Sequence, residues 1–169
     1  MNELGHGISV EIATYRGGGS PTEELRAFRR AARGAHVQTL DADAVAGKRH
    51  LLLTLKQTVE MSRCARLLAD KTEVDFLLRV AGTKQIADAV RDSGAKPASN
   101  SIIVVFGPPE SVRQGMMMIG RLKRLVKSIP HAPGRSAAAR VARLKPESVV
   151  HVEDVASYLL AERAALLHK

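Results

Sequence analysis

The 169-residue sequence predicts an α/β fold in a single domain: a mixed β-sheet of about four to five strands containing a βαβ crossover, packed with helices and helical toward its C-terminal part. Three observations carry this prediction. Ile8 to Tyr15 and Val74 to Val80 alternate apolar with polar or smaller residues at the period of a strand. Ser101 to Phe106, SIIVVF, is a continuous β-branched run short enough to be an inner strand. Between the last two strands lies a helical period, and strand, helix, strand at this spacing is a right-handed parallel crossover in nearly all known cases.

In chain order, Ile8, Val10 and Ile12 form one side of the first strand, which Gly17 to Gly19 end. Ser20-Pro21-Thr22-Glu23-Glu24 starts a helix running to about Arg33, with proline early and acids in the first turn. His36 to Leu40 is a short strand that Asp41 to Asp43 break. Val45, Leu52, Leu55 and Val59 repeat at helical spacing, giving a helix from about Ala44 to Leu68, interrupted near Ser62. After the strand Val74 to Val80, Ile86, Ala89 and Val90 share one face of a helix closed by Gly94. Pro108-Pro109 stops SIIVVF, and a helix from about Glu110 to Ile119 follows, its Met116-Met117-Met118 run read as adaptable core filling. Two further short helices are expected in the basic region, then a C-terminal helix from about Pro146 to Leu167. That last helix has a stripe of Val152, Val155, Leu159 and Leu166 with Ala156, Leu160, Ala164 and Leu167 beside it, suited to packing on the sheet or to docking a partner.

Composition narrows the function. The chain has 45% apolar and 25% charged residues, and no apolar run approaches the roughly 20 residues of a membrane helix, so no membrane association is expected. The N-terminus shows no charged start, apolar block and small-residue cleavage site; a cytoplasmic location is the expectation. Cys64 is the only cysteine, which excludes an internal disulfide and a multi-cysteine zinc site. Lys and Arg total 26 against 17 Asp and Glu, a net charge of +9, so an anionic partner is expected. The excess concentrates between Glu110 and Lys145, where nine basic residues face one acidic one, either a phosphate-binding patch or a solvated basic face. Tyr15, Tyr158, Phe28, Phe76 and Phe106 offer no paired platform for base stacking of the kind that sheet-based RNA readers use.

Two junctions could hold an anion. In Gly82-Thr83-Lys84-Gln85, taken as the start of a helix after a strand, the first N–H groups and the positive helix end favour an anion. Gly82 allows close approach, Thr83 can cap, Gln85 can address a base edge or ribose, and Lys84 opposes the dipole until a phosphate reverses that cost; a Thr cap with no ligand explains the same residues. In the second junction, Lys48, Arg49 and His50 crowd the early turns of a helix, Lys48 on the face of Val45, Leu52 and Leu55 with its stem along apolar surface. His50 is read either as a ligand or as a packed residue. No phosphate loop, dinucleotide fingerprint, nucleophile elbow or zinc-protease motif is present, and the six histidines lack metal spacing, so neither a metal nor a cofactor is expected. A small enzyme acting on a nucleotide or phosphate metabolite, with His50 as base, is the alternative to a binding protein, and a scaffold with a merely soluble basic face is a third reading.

The blocks ADAVAGKRHLLLTLKQT, EVDFLLRVAGTKQIADAVRDSGAK and SIIVVF together resemble one family, the small tRNA-binding and kinase-binding subunit of the KEOPS complex, called the PRPK-binding protein in animals. The resemblance covers about Asp41 to Phe106 and is architectural elsewhere. It implies a non-catalytic subunit of tRNA threonylcarbamoyladenosine synthesis that docks on the kinase-like ATPase subunit and holds the single-stranded 3′ CCA end of tRNA. The positions matching the family's motifs are Lys48 and His50 in the basic helix start, and Arg79, Gly82, Thr83, Lys84, Gln85 and Ile86 in the strand-to-helix block. The long stretch RGGGSPTEELRAFRRAARG and the basic 110–145 region depart from the family's pattern, and no kinase-contacting residue is assigned by motif.

Overall fold

A computed structural model describes residues 1–126, 134–142 and 152–168, which form seven α-helices and a four-stranded sheet, a mixed α/β architecture. The described residues fall into two compact units, each built from two stretches of chain: Met1–Ala42 with Ala95–Ile129, and Asp43–Gly94 with Pro130–Lys169.

The first unit holds the sheet. Its strands are β1 (Asn2–Gly5), β2 (Ile8–Arg16), β3 (His36–Asp41) and β4 (Asn100–Gly107), in the order β1-β2-β4-β3 and antiparallel throughout. The expected parallel crossover is therefore absent: the segment read as its first strand is a helix of the second unit. β1, not anticipated, forms because Gly5-His6-Gly7, all at positive φ, folds Asn2 to Gly5 back onto the start of β2 through an irregular register between Glu3 and Gly5. β4 is the inner strand that its β-branched run predicts, with every residue from Ser101 to Gly107 buried.

Two helices, α1 (Pro21–Ala31) and α2 (Pro109–Leu122), cover one face of this sheet. Ala13, Tyr15, Val37, Ile103 and Val105 project from that face and pack with Phe28 and Ala32 of the α1 region and with Val112, Met116 and Ile119 of α2. Directly opposed pairs such as Ala13 with Ile103 and Val37 with Val105 place these side chains in register. Tyr15 meets Phe28 edge to face at 5.4 Å. Of the methionine run only Met116 fills the core; Met117 and Met118 are exposed on the far side of the helix. Past the reach of β1, Val126 exchanges both backbone hydrogen bonds with Thr14 on the outer side of β2, at 2.8 and 2.9 Å.

The second unit is helical: α3 (Lys48–Arg63), α4 (Thr72–Ala81), α5 (Ile86–Ser93), α6 (Arg135–Ala142) and α7 (Val152–Ala165), with a 3-10 turn at each end, Ala42–Ala44 and Leu166–His168. The segment read as the strand Val74 to Val80 lies within α4. Residues 75 to 81 are all buried, Asp75 and Arg79 included, so apolarity on every side hid the 3.6-residue period. Acids open the helix, and Asp75 and Arg79 pair one turn apart, an arrangement that a strand would place on one face without contact. Among the α7 residues whose burial is described, Ala156, Ser157, Leu160, Ala161 and Ala164 are buried, and Leu166 in the turn after the helix is exposed. Ala46, Ala137, Ala156 and Leu160 form one apolar cluster with Val141 against it. The expected start of this helix near Pro146 falls outside the described residues, and of the two short helices expected in the basic region α6 is described. No described helix is long and apolar enough to cross a membrane.

Candidate nucleic-acid interface

Gly82 ends a helix rather than beginning one. It takes the left-handed conformation, φ 69° and ψ 35°, just past α4. The Gly82 N–H donates to the Arg79 carbonyl and the Thr83 N–H to the Leu78 carbonyl, each at 3.1 Å, the paired closure that glycine favours at a helix C-terminus. A sequence reading built on an anion cradle at Gly82 is thereby corrected: the carbonyl end of a helix repels phosphate. Three residues later the chain starts again. Gln85 is extended and precedes α5, with its own N–H bonded to Thr83 Oγ1 at 3.2 Å. No side chain caps α5, and Lys84, Gln85, Ile86 and Ala87 are exposed, Ile86 by 54%. Its first N–H groups have no partner inside the helix, so this start, not the glycine, is where an anion is favoured.

Arg79 does not reach the surface. It is 1% exposed, with Nε and Nη2 on the two Asp75 carboxylate oxygens at 2.6 and 3.4 Å and Nη1 on the Ala164 carbonyl at 3.2 Å. Thr58 Oγ1 and the Leu68 N–H donate to the same carboxylate, at 3.0 and 2.7 Å. A guanidinium so enclosed contacts no RNA; it welds α4 to α3 and α7.

His50 is likewise interior, with no exposed surface. Its Nδ1 accepts the Ala46 N–H at 3.3 Å, one residue before the Gly47 cap, and its Nε2 has no hydrogen-bond partner among the described residues. Burial first, and the Arg140 cation second, push its pKa down from 6.5 to about 3. A sealed ring that resists protonation is neither a phosphate ligand nor a general base, which removes the residue on which the enzyme reading rested.

Lys48 is the first residue of α3 and exposed. The expected face of Lys48 with Val45, Leu52 and Leu55 is interrupted on the Val45 side, because Val45 and Ala46 precede the helix and Gly47, at φ 102°, reorients the chain before it begins; Leu52 and Leu55 follow Lys48 at helical spacing. Helical phase cannot be carried back across that turn. Beside Lys48, Arg49 lies over the ring of Tyr158 on α7, 4.6 Å from guanidinium carbon to ring centroid, and donates from Nη2 to the Tyr158 hydroxyl. This pair has no trace in local sequence, since its members stand 109 residues apart.

The structure thus gathers Thr83, Lys84, Gln85 and Ile86 at the start of α5, puts Lys48 and Arg49 at the start of α3, and takes Arg79 and His50 into the interior. Among the described residues of the basic 110–145 run, Lys123, Arg113 and Arg140 are engaged by named partners. Lys123 pairs with Glu24 at 2.6 Å and Arg113 with Glu110 at 3.0 Å in the first unit. In the second, Arg140 is drawn inside to donate to the carbonyls of Val80, at 2.9 Å, and Ala44. Lys127, Arg143 and Lys145 lie outside the described residues. Among the described residues no three His, Cys, Asp or Glu side chains are grouped to hold a metal ion. No protein-family model matches this chain, and no curated protein matches it.

Proposed function

We propose that this chain is a non-catalytic tRNA-binding subunit of the KEOPS type, acting in the cytoplasm in threonylcarbamoyladenosine synthesis, holding the 3′ CCA end of tRNA and docking on the kinase-like ATPase subunit. The observation that carries the reading is the exposed Lys84-Gln85-Ile86 sequence at the uncapped start of α5, within the segment that resembles that family. A cation, an amide able to address a base or ribose, an apolar side chain and open N–H groups are what an unpaired terminus can use. The exposed Lys48 at the start of α3 and the net charge of +9 support the same reading. Arg79 and His50 act from inside, Arg79 anchoring the helix before the α5 start and His50 fixing the start of α3. Lys48, Thr83, Lys84, Gln85 and Ile86 remain the RNA-facing set.

Binding of tRNA with and without its terminal CCA tests this, alongside Lys84→Glu. Removing CCA is expected to weaken binding more than any change in the anticodon loop. Lys84→Glu is expected to weaken it and to lower the salt slope by about 0.7 for each lost phosphate contact. Equal affinity for intact and trimmed tRNA defeats the proposal.

A further inference from the structure

Resting on that RNA-binding reading, we propose that Arg49 and Tyr158 form a stacking platform for an unpaired nucleobase beside Lys48. The Tyr158 ring is held by Arg49 yet leaves 48% of the residue exposed, an unusual disposition for one of only two tyrosines in the chain. Tyr15, the other, is buried. Arg49 presents a planar cation able to stack on a base as well as on the phenol, which lysine cannot do. Its sequence neighbour Lys48, on the first turn of α3, supplies the charge for the adjoining phosphate. Ser157, next to Tyr158, is buried and donates to the Ala46 carbonyl at 2.9 Å, and Gln57 Nε2 donates to the Ala161 carbonyl at 2.8 Å. These bonds fix α7 against α3 and against the turn before it, one at the residue preceding Tyr158 and one three residues after it, so the platform is held in place before RNA arrives. Every base has a π-face, so the platform contributes affinity for unpaired RNA without reading its sequence.

The chain contains no tryptophan, so Tyr158→Trp creates a single indole at the site. Its fluorescence is expected to be quenched by a single-stranded RNA ending in an unpaired base, and much less by the same strand carrying abasic ribose at its terminal positions. In competition binding, Tyr158→Ala is expected to lose about tenfold in affinity and Tyr158→Phe far less. Arg49→Lys is expected to weaken binding with the salt slope unchanged, separating the plane from the charge. If the unaltered protein binds RNA with the expected salt dependence but does not distinguish abasic from intact strands, or if Tyr158→Ala binds as tightly as the unaltered protein, the platform is refuted while the RNA-binding reading stands. A protein partner then owns that ring. If no RNA binds at low salt, both fall. The abasic comparison uses the unaltered chain and is independent of how the variants fold.

Discussion

Arg79 grips Asp75 one helical turn away with two of its nitrogens, and neither side chain is more than 1% exposed. Both charges are out of water, and each is compensated: the carboxylate also accepts from Thr58 and Leu68, and the guanidinium also donates to Ala164. Such a cluster is worth less than its Coulomb energy suggests, because desolvation offsets most of it, yet it is costly to break from one side.

Arg79→Met leaves the Asp75 carboxylate buried without its cation and is expected to destabilise the protein by about 3–5 kcal/mol in urea unfolding. Adding Asp75→Leu to that variant should restore a large part of the loss. RNA affinity of the folded fraction should be unchanged, since the guanidinium never meets solvent. A loss of RNA binding at full foldedness would return Arg79 to the interface.

Gly82→Ala is expected to lower stability by about 1 kcal/mol, because only the backbone suffers: a left-handed residue acquires a Cβ. That Cβ would lie 3.1 Å from Nε of Arg163, an exposed side chain with room to yield. Gly82→Asn should cost less, asparagine tolerating this conformation. A glycine needed for approach of a phosphate behaves otherwise, with binding lost in both variants at unchanged thermal midpoint. The measurement is a melting curve and a binding isotherm on the same preparations.

His50 makes stability depend on pH with a definite sign. Its folded pKa, about 3, lies below the ordinary 6.5, so the unfolded chain takes up a proton that the folded chain refuses. Its contribution is fully present above 6.5 and is lost as pH falls toward 3, with a slope approaching about 1.4 kcal/mol per pH unit. His50→Gln keeps an acceptor for the Ala46 N–H and cannot titrate. Compared with the unaltered protein in denaturant titrations from neutral pH downward, it should show a shallower fall by that slope. Parallel curves would contradict a buried neutral ring.

Strands β2, β3 and β4 and helices α1, α2, α3 and α5 were legible because a half-buried face leaves its period in the residues and because Pro21, the Pro108-Pro109 pair and Gly94 punctuate them. α4 was not, since burial on all sides erases the difference between strand and helix. Read as a strand, this segment yields the parallel crossover and also inverts Gly82, which closes α4 rather than opening α5. At the candidate interface, Lys84, Gln85 and Ile86 were legible because a helix start is local chemistry. The fates of His50 and Arg79 were not, because Arg140 and Ala164 reach them from segments 85 residues or more along the chain. Whether a cation is a ligand or a rivet depends on what covers it.

The stitch between Val126 and Thr14 has its own consequence. A sheet whose outer strand stays unsatisfied invites self-association with a second copy, and β1 shields only the first few residues of β2. Those two backbone bonds make the stretch after α2 a guard on that border, so shortening the connection between Leu122 and Val126 would leave the Thr14 N–H and carbonyl open to pairing with another strand.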